Sequence, residues 1–331
     1  MHMSPIMPLP YSVNARQRRG WTSELYGRIG AGPVATFLHG LLAQFERDGF
    51  HHLLVALQPV RDAAGTRLVA LADEFVDASG LDDARLLQRL RDLRLDVLVD
   101  LAGHSTANRL PVLARRVAPL QLCWLDWFDT TAAPAMDAWI SDGWLTPADS
   151  TQRHTEQVVR LAAGRLCYTP PDDSPAPMHD GGGTPVFASF NRLAKLNDGV
   201  VDTWARILHR VAGARLELRA GTLAEPATRA RLHERFARRG IGAERVGLYG
   251  ELPYPDLLRA YRHVDIALDP FPFSGCATTC DALWMGCPAV ALAGETFVSR
   301  QSASLLSRLG RDDWIARDRA GSLACAVARS A

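Results

Sequence analysis

Lysine is almost absent from this chain. Of its 37 Lys and Arg residues only Lys195 is lysine. Long apolar runs are missing too: none approaches the roughly 20 residues that span a bilayer. The Pro- and Met-rich N-terminus, Met1 to Asn14, has neither a charged n-region nor a long apolar h-region, so no signal peptide is read there. Charge of one sign is lacking, and a formal net charge of +1 argues against a broad nucleic-acid footprint. Six cysteines are present without a CxxC pair, and no His cluster has zinc spacing. Most read as small buried hydrophobes in a reducing compartment, and the cytoplasm is the expected location.

What is present suits a soluble globule: 331 residues, 47% hydrophobic and 22% charged. That length favours two domains. Residues 1–18 read as a loose tail. From Trp21 short β-like runs alternate with helical ones. Residues 34–42 have helical spacing and 52–57 read as a strand. Asp82 to Leu93 reads as a helix with Asp82 as N-cap, and 97–101, 121–125 and 138–142 as strands. Residues 169–184, rich in Pro, Asp and Gly, form the clearest linker. Beyond it, strands at 186–190, 214–219, 245–249, 264–269 and 288–292 alternate with helices at 200–211, 227–239, 255–262 and 278–285. Alternation of this kind implies parallel sheets with crossover helices. The expected division is a tail (1–18), a first α/β domain (19–168), the linker (169–184) and a second α/β domain (185–331).

Ligands in such folds bind beyond the carboxyl ends of the strands, here expected between the domains. Three strand ends in the second half carry chemistry. The first, Asn191-Arg192-Leu193-Ala194-Lys195, places a compact ammonium where a phosphate can be held. The second is Gly250-Glu251-Leu252-Pro253. The third runs from Asp269 through a Pro-stiffened turn to Gly275-Cys276-Ala277-Thr278-Thr279-Cys280-Asp281, a helix start. Free amides and the positive dipole end would face an anion there. Thr278 and Thr279 add hydroxyl donors, and Asp281 suits either capping or a ribose hydroxyl. Small residues at 275–277 admit a diphosphate to the backbone. This segment is neither a Gly-Lys-Ser/Thr phosphate loop nor a GxGxxG turn, which argues against ATP hydrolysis and NAD chemistry.

These residues resemble a known family. Asp100 to Thr106, Asn108 to Leu110, Arg115 to Gln121, Trp124-Leu125, Thr130-Thr131 and Met136-Asp137 look like the catalytic region of bacterial O-linked N-acetylglucosamine transferases, the SPINDLY-like group. The second half is more similar still, through Phe190 to Lys195, Val264 to Phe273, Cys280 to Pro288 and Gly294 to Arg300. The resemblance spans roughly residues 20–320. It implies an α/β fold of GT-B type, two Rossmann-like parallel-sheet domains facing a cleft. It also implies inverting, metal-independent transfer of N-acetylglucosamine from UDP-GlcNAc to Ser/Thr hydroxyls of proteins, with no cofactor. The implied partners are a UDP-sugar and an acceptor protein or peptide, with no nucleic acid and no membrane. By position, Lys195 and the amides near Gly275, Cys276, Ala277, Thr278 and Thr279 would hold the diphosphate. Asp281 would take the ribose, the backbone near Leu252 the uracil, and Asn191 and Arg192 would lie beside the nucleotide.

The chain departs from the family in places. Gly32, before Pro33, stands where the family has a His near the reacting sugar. Leu257 stands where a uracil-stacking His is usual, and Cys276 replaces another His. Asp126-Trp127-Phe128-Asp129 replaces a glycine-rich turn. One expectation is that Asp126 supplies polar contacts or base function lost at Gly32, with His104 contacting acceptor or sugar. Solvated loop acids and a structural His are the alternatives. No tetratricopeptide repeats precede Trp21, and the chain ends soon after Arg317 to Gly321, where the family continues with helices. A catalytic region, truncated at its C-terminus, is therefore expected. Other nucleotide sugars, an Asn acceptor, or a non-catalytic nucleotide-sugar-binding module remain open.

Overall fold

The computed structural model describes residues 20–26, 29–45, 50–180 and 182–330. The tail read at 1–18 lies outside them. The first half carries β1 (Gly20–Tyr26), α1 (Pro33–Gln44), β2 (Phe50–Ala56), α2 (Ala63–Leu71), β3 (Glu74–Asp77), α3 (Asp83–Asp92), β4 (Val97–Asp100), α4 (Leu110–Leu113), β5 (Leu120–Cys123), β6 (Ala138–Asp142) and β7 (Gln157–Leu161). The second carries β8 (Val186–Ser189), α5 (Asp198–Arg210), β9 (Arg215–Arg219), α6 (Pro226–Ala237), β10 (Val246–Tyr249), α7 (Tyr254–Arg259), β11 (Ile266–Leu268), α8 (Ala277–Trp284), β12 (Ala289–Leu292), α9 (Gln301–Arg308), β13 (Ile315–Ala316) and α10 (Arg319–Ala328).

Helix starts follow local chemistry. The side chains of Asp82, Asn197 and Asp318 accept the amides of Arg85, Val200 and Gly321, capping α3, α5 and α10. Pro33 and Pro226 open α1 and α6, where a missing N–H costs nothing. The buried face of α5 carries Val200, Val201, Trp204, Ile207 and Leu208 at helical spacing. Burying side chains of this size contributes about 1.5–3 kcal/mol each.

The strands form two sheets, ordered β3-β2-β1-β4-β5-β6-β7 and β10-β9-β8-β11-β12-β13. All adjacent pairs of the second sheet are parallel, as are those from β3 to β6 in the first. In each sheet the order runs outward from a central strand and then reverses, so each has a switch point: β1/β4 in the first, β8/β11 in the second. Loops leaving the two strands at such a point diverge and open a crevice.

The chain gathers into two compact units. One comprises the described residues up to Ala35 with Leu41–Trp127 and Thr131–Trp139. The other comprises Thr36–Gly40, Phe128–Thr130 and the residues from Ile140 onward, so it takes in 140–168 as well as the linker. The core of the second unit joins Phe187, Trp204, Leu216, Phe236, Ile266 and Val290 between sheet and helices. Among the described residues no helix is long and apolar enough to cross a membrane.

Candidate functional site

The second unit's switch point brings two of the three predicted strand ends together. The loop after β8 delivers Asn191 and Lys195; the loop after β11 delivers Asp269 to Cys276 and the start of α8. Asn191 is their junction. Its Oδ1 accepts from Lys195 Nζ at 3.1 Å and from Thr278 Oγ1 at 3.1 Å. Lys195 Nζ also donates to the Ser274 carbonyl at 2.8 Å and lies 4.7 Å from the centre of the Phe273 ring. Burial lowers the Lys195 pKa, and the nearby Asp269 carboxylate opposes that shift. A cation held between an aromatic face and neutral oxygens keeps most of its charge for an incoming anion.

The loop before α8 is tightly built. Burial pushes the Asp269 carboxyl up to about 6, against the Gly275 amide it accepts and the Lys195 charge. A side chain at Gly275 would place its Cβ 2.4 Å from Thr279 Oγ1 and 2.8 Å from Asp269 Oδ1. Only glycine fits. Ser274 Oγ donates to the Val298 carbonyl and accepts the Gln301 amide. Ser302 Oγ donates to the Gly275 carbonyl and pairs with Thr279 Oγ1. Thr279 is thereby committed to the fold, whereas Thr278 faces Asn191. Among the described residues no protein acceptor takes the amides of Cys276, Ala277 or Thr278, the donors that open α8. Cys276 sits at the N-cap position, and burial pushes its thiol up to about 11.

The remaining predicted residues of this unit are less uniform. Arg192 is exposed. Leu252 is half-buried after β10 and packs on the cluster of Phe190, Leu258 and Tyr261, as does Leu257. Asp281 is 3% exposed. Its Oδ1 accepts from Tyr168 Oη at 2.9 Å and from Tyr254 Oη. Burial raises its carboxyl to about 6, with both phenols opposing the shift.

In the first unit His104 and Asp126 follow β4 and β5. Asp100, the last residue of β4, accepts the amides of Ala102 and Gly103, shaping the turn that presents His104. Gly103 has φ +52°, and a Cβ there would meet Trp127 at 2.3 Å. His104 is exposed, 5.0 Å from the Trp127 ring by centroids, and its Nε2 lies 2.7 Å from the Thr131 carbonyl. A carbonyl only accepts, so Nε2–H is the donor in that bond and Nδ1 is the ring nitrogen it leaves unused. Asp126 is half-buried, and its amide donates to Leu101. The run Arg115 to Gln121 is structural. Gln121, wholly buried, accepts the Val117 amide and donates to Leu113 and Ala135, and Arg116 pairs bidentately with Asp137.

Sequence reasoning missed four contributors. Asn197 joins the two switch-point loops through Nδ2 and the Phe271 carbonyl while capping α5. Its Asx-like place before a helix was a usable signal. Ser302, Tyr168 and Tyr254 had none, since each meets the site through tertiary contact alone. Among the described residues no three His, Cys, Asp or Glu side chains gather as metal ligands would.

A family model described as glycosyl transferase family 41 matches residues 13–166 and 181–330. The chain is 35% identical over 250 residues to a protein of Solanum lycopersicum named probable UDP-N-acetylglucosamine–peptide N-acetylglucosaminyltransferase SPINDLY, covering 73% of this chain and 26% of that one. Its Arabidopsis thaliana counterpart is also 35% identical, over 247 residues, with coverage of 73% and 27%. The chain thus spans about a quarter of the length of these curated relatives. A solved mutant of the Thermobaculum terrenum O-GlcNAc transferase superposes with a TM-score of 0.93 at 37% identity, over 98% of this chain and 62% of that one. A lipopolysaccharide outer core galactosyltransferase, 14% identical with a TM-score of 0.53, covers 92% of this chain and 94% of its own, and shares the fold alone. The architecture is α/β of GT-B type, with parallel sheets.

Proposed function

Since this chain belongs to glycosyl transferase family 41, we propose that it moves N-acetylglucosamine from UDP-GlcNAc to Ser or Thr hydroxyls of an acceptor protein, with inversion and without a metal. The names of its relatives support the donor and the acceptor class. The observation that carries the reading is the meeting of Lys195, Asn191 and Thr278 at the switch point, beside the open amides of α8.

The chemistry follows from charge. When the sugar–oxygen bond breaks, the departing UDP gains negative charge on its diphosphate. The Lys195 ammonium and the amides at Cys276, Ala277 and Thr278 stabilise that charge where a divalent cation otherwise would, while the Thr278 hydroxyl, donating to Asn191 Oδ1, holds Asn191 in place. Gly275 lets the diphosphate approach closely. Asp281 takes the ribose, the backbone at Leu252 the uracil, and Asn191 and Arg192 flank the nucleotide. His104, through Nδ1, takes the acceptor's proton, and Asp126 supplies a polar contact to the sugar. The six cysteines are all free thiols, which supports a reducing, cytoplasmic setting.

Calorimetric titration with UDP and UDP-GlcNAc in EDTA tests the donor site. Binding in the micromolar range is expected, weakened about 30-fold or more in Lys195→Ala by loss of a half-buried cation facing a dianion. A folded wild-type protein that binds neither nucleotide overturns the reading. A second reading, a binding module without transfer, is favoured by Gly32, which has no side chain where the resemblance expects a His. Its φ of +145° suits glycine. Tight UDP-GlcNAc binding with no release of UDP over hours, with or without acceptor peptides, would select that reading.

A further inference from the structure

Asp281 carries an arrangement that the donor-site reading does not explain. Its Oδ1 is filled by two phenols from distant parts of the second unit. Tyr168 comes from the segment after β7, 113 residues away, and Tyr254 from the first turn of α7. Both hydroxyls lie within hydrogen-bond reach of the same oxygen and of each other, so the two phenols and Oδ1 form one cluster. Among the described residues no donor reaches Oδ2. A third phenol, Tyr261, donates to the Thr278 carbonyl one turn earlier on α8. Asp281 lies four residues after Ala277 and three after Thr278, so it shares their face of the helix. It stands roughly 5–6 Å along the axis from the open amides. That is the separation of a diphosphate from the hydroxyls of its own ribose.

We propose that Tyr168 and Tyr254 are positioning residues of the nucleotide site: by filling Oδ1 they fix the Asp281 carboxylate so that Oδ2 accepts the ribose hydroxyls of the donor. The proposal rests on the donor-site reading above. A carboxylate with both oxygens open would rotate and divide its acceptance among competing donors. One clamped through Oδ1 by two rigid aromatic side chains holds Oδ2, with its two lone pairs, in one orientation. The clamp also explains how a carboxyl 3% exposed holds its charge, because both phenols favour the ionised form. The tyrosines touch no substrate; they act through Asp281, and their effect is selectivity for ribose.

The test compares dissociation constants for UDP and 2′,3′-dideoxy-UDP in wild type, Tyr168→Phe, Tyr254→Phe and the double variant. Phenylalanine keeps the ring and removes only the donor. Wild type is expected to prefer UDP by about tenfold or more, the value of a hydrogen bond to a charged acceptor. The preference should fall severalfold in each single variant and approach unity in the double. Lys195→Ala should weaken both nucleotides alike and leave their ratio unchanged, which separates the diphosphate contribution from the ribose contribution. Variants that bind UDP and keep the full preference overturn the proposal while the donor site stands. So does a wild type that binds both nucleotides equally. A wild type that binds neither removes the donor-site reading and the proposal together.

Discussion

At the residue scale the site depends on a few atoms with no slack. Gly275→Ala is expected to force apart Thr279, Asp269 and Thr278, each within about 3.0 Å of the added carbon. Overpacking of that kind costs about 1–3 kcal/mol. Chemical denaturation should register the loss, and UDP affinity should fall with it, since the displaced groups frame the start of α8. His104 differs, being exposed and tied through one ring nitrogen only. His104→Ala should leave UDP affinity within about twofold and lower transfer by at least about 100-fold if Nδ1 is the base. A variant with unchanged transfer rate would return His104 to a structural role. Lys195, the lone lysine of an arginine-rich chain, stood out without any coordinates. What the sequence did not show is that Asn191, four residues before it in the same motif, is the acceptor joining it to Thr278.

At the element scale the capping residues matter most, because helix starts position the loops. Asn197 both caps α5 and donates to the Phe271 carbonyl. Asn197→Asp keeps the cap and loses the donor, so the expected loss of stability is about 1–2 kcal/mol. Asn197→Ala loses both, and urea denaturation should place it about 1 kcal/mol lower again. Arg245 plays the matching role at the other end of α5, donating to the carbonyls of Leu208, Val211 and Ala214. Elements with strong apolar runs or clear caps were legible: α1, α3, α5, α6, α8, and the strands from β8 to β12 fall within a few residues of their expected places. Less legible were α2, β3, β7, β13 and α10. β3, β7 and β13 are short, β7 is largely exposed, and each owes its regularity to a paired neighbour or a packed helix. The loop from Asp269 to Cys276 was legible as chemistry but not as geometry, because its shape is set by Ser302 and Asn197 from other elements.

At the scale of the whole molecule the two sheets repeat one device. The strand just past the switch point leads to a buried aspartate, Asp100 as the last residue of β4 and Asp269 just after β11. Asp100 accepts two amides of the loop that follows it and Asp269 one. Burial raises Asp100 to about 7 and Asp269 to about 6, from 3.8. The native state therefore holds these protons at pH values where the unfolded chain has released them. From pH 4 through the native values the unfolded state binds fewer protons, so this contribution to stability falls as pH rises and is fully lost only about a pH unit above 7. Asp100→Asn removes one such group. Wild type should lose stability relative to the variant from pH 5 to about 8, with a constant difference above that, measured as urea midpoints. A flat difference across the range would mean that Asp100 is ionised throughout.

Sequence alone determined the α/β class, the alternation that demands parallel sheets, and the strand ends that carry Lys195, Thr278 and His104. These follow from local periodicity, capping chemistry and the spacing of small and charged residues. Tertiary structure decided the rest. It made Asn191 the junction, committed Thr279 to Ser302, turned Gln121 and Arg116 into braces, and set two distant tyrosines on one oxygen of Asp281. Those assignments depend on which strand lies beside which, and strand order is fixed by long-range packing that no local window contains.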